Sequence, residues 1–206
     1  MGKIDLNAAI DSLKNYISIK FEETKNKVGN NIIRGHLRTL STEIEDGMAL
    51  FLLEILPKGY RALVDCSVYV DGKNHRPDIL IIDSKNRVRF LIEVKTNMGW
   101  CRDATNELNK IIKKHNEMSS IGSLRCQFSN DSEIIVLYSN EVKIFLTPFT
   151  SGNCSINNHI NNKVIAEEQG ISYYRLFNGW YSNLESVEIE DFANEIIELV
   201  GNSITH

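Results

Sequence analysis

The sequence predicts an α/β fold in which helices flank a central mixed β-sheet. Helical apolar periodicity occurs near both ends of the chain and again in its middle, and short apolar segments bounded by turn residues lie between these helices. This alternation is typical of a sheet covered by helices. A chain of 206 residues can bury one sizeable core, so we expect a single domain over residues 1–206.

Two helices are predicted before the first strand. Residues 4–28 carry an apolar stripe at helical spacing. A second helix is expected over residues 41–56, where the apolar residues again follow the helical period. Thr42 and Glu45 have the spacing of a capping box at its start, and Pro57 ends it.

The remaining chain alternates between strands and helices. Residues 101–118 and 191–200 are predicted as helices. Five segments have the composition of strands: 61–70, 78–83, 88–95, 133–139 and 172–177. The fourth of these, EIIVLYS, is apolar enough to indicate a buried strand. The segment 140–162 is rich in Asn and Ser, so we expect a loop or a short insertion there.

The composition, with 42% hydrophobic and 24% charged residues, is typical of a soluble globular protein. No apolar run approaches the roughly 20 residues that span a bilayer, and the amphipathic N-terminus with its early acids is unlike a signal peptide. We therefore expect a cytoplasmic protein without a membrane segment. The net charge of −4 argues against a large nucleic-acid footprint, because Lys and Arg supply most non-specific affinity for phosphates.

The segments 78–83 and 88–95 flank a short polar turn and are predicted to pair as a hairpin. If the turn is centred on Lys85, Asp78 stands opposite either Ile92 or Glu93. The choice matters, because a slip of one residue sends Glu93 to the other face of the sheet. In the second register Asp78 and Glu93 meet, with their Cβ atoms about 4.5–5.5 Å apart, and Lys95 projects from the same side.

Two carboxylates at that distance repel each other unless a cation lies between them. Mg²⁺ prefers one or two carboxylates together with water and substrate phosphate. Such an ion lowers the pKa of a bound water and neutralises charge that develops on a phosphate. A neighbouring ammonium can orient or help deprotonate the attacking water and can stabilise the developing charge. The pattern therefore predicts hydrolysis of a phosphodiester.

The motif itself, Pro77-Asp78, fourteen intervening residues and Glu93-Val94-Lys95, resembles the PD-(D/E)XK nucleases, which include many restriction endonucleases. The resemblance implies that Asp78 and Glu93 bind Mg²⁺, for which Mn²⁺ can substitute. It also implies that the carbonyl of Val94 is a further ligand and that Lys95 assists the attacking water.

The predicted order of elements over residues 41–139 is similar to the common core of that superfamily, a restriction-endonuclease-like fold. The N-terminal helix 4–28 and the segment 140–206 would then be elaborations of this core. The resemblance implies a Mg²⁺-dependent endonuclease of restriction or phage-defence type that acts on double-stranded DNA as a homodimer.

Three other functions remain open within the same fold: a junction-resolving or repair nuclease, an effector that cuts RNA, and a catalytically silent binding module. Resolving and repair enzymes are commonly shorter and more basic than this chain. A silent module has no physical need to keep Asp78, Glu93 and Lys95 together, and this disfavours it.

The superfamily often adds a glutamate from the helix before the first strand, and Glu43 and Glu45 both qualify. Glu45 has Met48 and Ala49 at i+3 and i+4, which places it at the edge of the buried face, so we favour Glu45. Its alternative role is that of the capping-box partner of Thr42.

Residues after the motif are candidates for contact with nucleic acid. Asn97, close after Lys95, can touch a phosphate or instead help to cap the following helix. On that helix three lysines are predicted to share one face, which can follow a phosphate backbone or simply face solvent. The candidates for nucleic-acid binding are Asn97, Arg102, Lys110, Lys113 and Lys114.

Overall fold

The computed structural model describes residues 5–26, 40–97, 105–150 and 154–203. Within these ranges it contains five helices and eleven strands. The helices are α1 (Leu6–Asn26), α2 (Ser41–Ile55), α3 (Thr105–Ile121), α4 (Ile156–Glu168) and α5 (Ile189–Ser203). The strands are β1 (Arg61–Val64), β2 (Ser67–Val70), β3 (Lys73–His75), β4 (Ile79–Ile82), β5 (Val88–Asn97), β6 (Ser123–Gln127), β7 (Glu133–Leu137), β8 (Lys143–Thr150), β9 (Ile171–Tyr173), β10 (Phe177–Trp180) and β11 (Asn183–Ser186).

Seven strands form the main sheet in the order β1-β4-β5-β8-β10-β11, and β9 also pairs with β8. The pairs β1–β4, β4–β5 and β10–β11 are antiparallel, whereas β5–β8, β8–β9 and β8–β10 are parallel. The predicted fold class, a central mixed sheet flanked by helices, is therefore confirmed.

The segment 61–70 forms two strands rather than the single strand that its composition predicts. Asp65, directly after β1, has a φ of 46°, a left-handed conformation that turns the chain out of the main sheet. From there β2 enters a second, antiparallel sheet with the order β3-β2-β6-β7. The chain thus leaves the main sheet after β1 and returns to it at β4.

The expectation of a loop or insertion over 140–162 is wrong. This segment contains β8, which pairs along β5, and the first half of α4. β8 is buried along almost its whole length, so its sequence does not alternate between apolar and polar residues. The surrounding Asn and Ser residues and Pro148 hid this strand in the sequence.

The strand expected over 133–139 is present as β7, but it is not a buried strand. It lies at the edge of the second sheet, and Ile135 and Leu137 are exposed. In the predicted order of core elements, the strand that follows the helix α3 within the main sheet is therefore β8 rather than β7.

The helices α1, α2 and α5 form where the apolar periodicity predicts them, and α3 is described from Thr105 onward. The capping box is wrong, because α2 already begins at Ser41 and its N-cap is Leu40, which provides no side-chain cap. Pro57 follows the end of α2, as expected. Among the described residues, no helix has the length and apolar character needed to cross a bilayer.

Two apolar clusters cover the two faces of the main sheet. One packs α1, α2 and α5 against one face and includes Ile92 and Val94 of β5. The other packs the second sheet, α3 and α4 against the opposite face and includes Leu91. Because side chains alternate along a strand, Glu93 and Lys95 project toward the α3 side.

Phe145 of β8 should carry a large share of the packing behind the hairpin. Its ring is fully buried and meets Phe90 and Phe192 edge-on, with centroid distances of 5.9 and 5.5 Å. We expect Phe145→Ala to lower the free energy of unfolding by about 3–5 kcal/mol, measured by urea denaturation. Trp180→Ala is the control, because that side chain is 74% exposed and should change stability by no more than about 0.5 kcal/mol. Equal effects of the two substitutions would contradict the packing described here.

Candidate active site

The pairing of β4 with β5 decides the geometry of the site. Ile79 pairs with Ile92, so the next position toward the open end of the hairpin places Asp78 opposite Glu93. Nearer the turn, Ile82 pairs with Val88, which leaves Arg89 as an extra residue on β5. This β-bulge changes the register by one residue. Both registers allowed by the sequence therefore occur, and the one at the site brings the two acids together.

Asp78 directly precedes β4 and accepts hydrogen bonds from the chain on both sides of that strand, at β5 and at the end of β1. Its Oδ2 accepts a hydrogen bond of 2.7 Å from the backbone N–H of Val94. Its own carbonyl accepts a hydrogen bond of 3.0 Å from the N–H of Asp65. The carboxylate is thereby tied to the strand that carries Glu93.

Glu93 is a buried carboxylate with an ammonium group near each oxygen. Lys114 of α3 donates a hydrogen bond of 2.6 Å to Oε1, and Nζ of Lys95 lies 4.0 Å from Oε2. Burial and the charge of Asp78 raise the pKa of Glu93, while Lys114 and Lys95 act in the opposite direction.

The ion pairs continue beyond Lys95. Its Nζ lies 3.9 Å from Oε2 of Glu107, and Lys110 donates a hydrogen bond of 2.6 Å to Oε1 of the same carboxylate. The hydrogen bond from Lys110 is the main reason why the pKa of Glu107 is lowered. Lys114, Glu93, Lys95, Glu107 and Lys110 thus form a row of alternating charges, which we call the charge row. Three of its members lie on one face of α3.

Glu45 lies on α2, the helix that covers the other face of the sheet, and the acids of the site act on it through their charges. Burial raises its pKa to about 7, and the charges of Asp78, Asp65, Asp46 and Glu93 add to this effect. The charge of Glu43, by contrast, acts on Tyr16 and Lys20 of α1. Of the two candidate glutamates, Glu45 is therefore the one near Asp78.

The candidates for nucleic-acid binding differ in their exposure in the structure. Lys110 and Lys113 are exposed on α3, whereas Lys114 turns inward to Glu93. The prediction that the three lysines share one exposed face is thus wrong for Lys114. Arg102 lies outside the described residues, and of Asn97 only the backbone is described.

Three residues near the site were missed or misplaced by sequence reasoning: Asp65, Glu107 and Lys114. The pairing of Val64 with Ile79 places Asp65 next to Asp78, a position that the β1–β4 register would have predicted. Glu107 and Lys114 are seven positions apart on one helix face, and only the packing of that face on β5 shows that they meet the motif.

The oxygen atoms at the site suit a hard divalent cation. Asp78, Glu93 and the Val94 carbonyl supply oxygen donors, and the charges of the neighbouring acids add to the effect of burial in raising the pKa of Glu45. No group of three or more Asp, Glu, His or Cys side chains within the described ranges lies close enough to hold a metal ion by itself. Mg²⁺ usually has one or two carboxylate ligands and keeps several waters, so Asp78 and Glu93 are the carboxylates that would hold it.

The raised pKa of Glu45 predicts a pH dependence of stability without divalent ions. The folded protein keeps the Glu45 proton up to about pH 7, whereas the unfolded chain releases it near the ordinary value of 4.5. The free energy of unfolding should therefore fall as the pH rises through this interval. In Glu45→Gln the urea midpoint should fall less than in the wild type between these pH values, whereas Glu43→Gln should keep the wild-type slope. Identical slopes in both variants would contradict this account of Glu45.

Comparisons with known proteins found a similar arrangement of the chain in solved structures and no match in sequence. No protein-family model matches the chain, and no curated protein matches it in sequence. Among solved structures, it is similar to NucC of P. aeruginosa ATCC27853 in a cAAA-bound form, with 12% identity, 94% of this chain and 97% of that chain covered, and a TM-score of 0.43. It is also similar to NucC of E. coli MS115-1 in a cAAA-bound form, with 14% identity, 97% and 91% covered, and a TM-score of 0.48. Similarity at this level assigns the chain to neither a family nor an activity.

Proposed function

We propose that the protein is a divalent-metal-dependent phosphodiester hydrolase that cuts DNA. One observation carries the proposal: the hairpin register sets Asp78 opposite Glu93, with Nζ of Lys95 4.0 Å from the Glu93 carboxylate. Lys114 and Lys95 compensate the charge of Glu93, and a divalent cation between Asp78 and Glu93 would relieve the remaining repulsion between the two acids.

Asp78, Glu93 and the carbonyl of Val94 are the proposed ligands of Mg²⁺, with Mn²⁺ as a substitute. When bound, such an ion neutralises charge on the phosphate and helps to generate the nucleophile. The hydrogen bond from the Val94 N–H holds Asp78 in place, so the two carboxylates keep their relative position without substrate. Glu45 is proposed as an additional acid at the edge of the site.

Lys95 is proposed to assist the reaction through its positive charge. Carboxylate oxygens of Glu93 and Glu107 lie 4.0 and 3.9 Å from its Nζ, so the ammonium is held between two fixed charges. In that position it can donate a hydrogen bond to the attacking water and stabilise negative charge that develops on the phosphate.

The proposed substrate is double-stranded DNA, and the proposed role is restriction or phage defence in the cytoplasm. The net charge of −4 leaves the binding of phosphates to local groups such as the exposed Lys110 and Lys113. The homodimer is an expectation from the motif's resemblance, and sedimentation velocity of the purified protein measures it. The cytoplasmic location is an expectation from the N-terminal sequence and the lack of a long apolar run.

Cleavage assays test the proposal directly. Wild-type protein incubated with supercoiled plasmid should cut it in Mg²⁺ or Mn²⁺ and leave it intact in EDTA. Asp78→Asn should remove this activity, because it takes away a charged ligand while keeping the size of the side chain. Asp71→Asn, in an exposed turn, is the matched control and should cut like the wild type.

The same assay separates the alternative functions. Cleavage of single-stranded RNA in place of plasmid would indicate an RNA-cutting effector, and preference for branched DNA would indicate a resolving or repair enzyme. No cleavage of any of these substrates by folded wild-type protein, with either metal, would leave the silent binding module as the better hypothesis.

Lys95→Met should lower the cleavage rate by about 10²–10⁴-fold, the usual contribution of a group that handles a proton or charge in the reaction. The control is Lys143→Met, which removes another ion pair, 3.5 Å long, to Glu195. Single-turnover rates at saturating Mg²⁺ are the measurement. A Lys95→Met variant that cuts as fast as Lys143→Met would rule out the role proposed for Lys95.

A further inference from the structure

Lys114 connects three elements at the proposed site. Its side chain, which is 16% exposed, extends from α3 to β5, where Nζ donates a hydrogen bond of 2.6 Å to Oε1 of Glu93. The same Nζ donates a hydrogen bond of 3.1 Å to the carbonyl of Arg76, two residues before Asp78. One ammonium group therefore contacts both the strand that carries Glu93 and the segment that leads into Asp78.

These contacts differ from those of a surface ion pair. The Glu93 side chain is 4% exposed, so its charge has lost nearly all contact with water. Burying a carboxylate is unfavourable unless it is paired and hydrogen-bonded. The short bond from Lys114 is the charge-assisted type that meets this need. Lys95, at 4.0 Å from the other oxygen, lies beyond hydrogen-bond distance.

The two oxygens of Glu93 consequently have different partners. Oε1 is occupied by Lys114, and Oε2 is the oxygen closer to Lys95. Both hydrogen bonds of Lys114 go to groups of the protein, and the little exposure of its side chain leaves it poorly placed to bind a phosphate. This separates Lys114 from the exposed Lys110 and Lys113 on the same helix.

We propose that Lys114 is a positioning residue for the metal site. It holds Oε1 of Glu93, so Oε2, the oxygen closer to Lys95, would be the one left to bind a divalent ion. By bonding the carbonyl of Arg76, it also fixes the approach to Asp78 relative to Glu93. This inference rests on the proposed function, since it assigns Lys114 a role in preparing the same metal site.

Loss of Lys114 should weaken metal binding before any substrate is present. Groups that orient a metal ligand typically contribute about 10–100-fold to metal affinity or activity. We expect Lys114→Met to raise the dissociation constant for Mn²⁺ by that factor and to lower kcat at moderate metal concentrations. KM for DNA should stay close to the wild-type value, because Lys114 does not contact the substrate. Lys114→Arg, which keeps the charge and the donors, should recover part of the affinity.

The experiment is a calorimetric titration of Mn²⁺ into the 206-residue protein without nucleic acid. It compares the wild type, Lys114→Met, Lys114→Gln, Lys114→Arg and Lys163→Met. The last is the matched control, because Lys163 forms an ion pair of 2.8 Å with Glu188 outside the site. Loss of that pair should leave the affinity for Mn²⁺ unchanged. If Lys114→Met does not fold, Lys114→Gln, which retains a hydrogen-bond donor, gives the same comparison.

A stability cycle tests whether Lys114 acts through Glu93. Urea midpoints are measured for Lys114→Met, Glu93→Gln and the double variant. Removal of Lys114 should lower the midpoint strongly in the wild-type background and only slightly once Glu93 is neutral, because no buried charge is then left unpaired. Additive effects of the two substitutions would show that Lys114 does not act through Glu93.

Besides additivity in that cycle, two results would overturn the inference: an affinity of Lys114→Met for Mn²⁺ equal to or tighter than that of the wild type, or a rise in KM for DNA without a change in metal affinity. The second result would make Lys114 a contact for the phosphate backbone. Failure of the proposed function is recognised separately. In that case the wild-type protein cuts no nucleic acid, while the titration still reports whether Lys114 prepares the metal site.

Discussion

The site depends on the register between β4 and β5. The bulge at Arg89 shifts that register by one residue, so Asp78 faces Glu93 instead of Ile92. Without the shift, the carboxylate of Glu93 would project into the apolar cluster under α1, α2 and α5, on the opposite face of the sheet from Asp78. β8 supports this arrangement from the other side, since it pairs in parallel along β5 and Thr147 donates a hydrogen bond of 3.3 Å to the Glu93 carbonyl.

The negative charge of the buried Glu93 carboxylate must be compensated, and residues of α3 provide the opposite charge. Lys114 bonds one oxygen of Glu93, and Glu107 near the start of the helix holds Lys95 on the opposite side. A single helix face therefore positions both charged residues of the Glu93-Val94-Lys95 motif. The charge row keeps opposite charges adjacent, which lets several ionised groups gather beside an apolar core.

Asp78 and Glu45 lie on the less compensated side of the site. Asp78 accepts a backbone N–H, and the neighbouring acids contribute to the rise of the Glu45 pKa to about 7. Lysines compensate the charge of Glu93, whereas Glu45, because of its burial and the nearby acids, holds its proton up to about pH 7.

Local signals in the sequence determined the mixed α/β class, the helices α1, α2 and α5, and the hairpin with Asp78, Glu93 and Lys95. These features depend on periodicity and turn residues within short segments. Contacts between distant positions were decided only by the tertiary structure. Lys114 lies 21 positions from Glu93, and Thr147 of β8 lies 54 positions from it. The sequence left two hairpin registers open and assigned Lys114 to an exposed face. The register at the site is fixed by the bulge at Arg89, and the inward direction of Lys114 follows from its ion pair with Glu93, because only the folded chain brings these distant elements together.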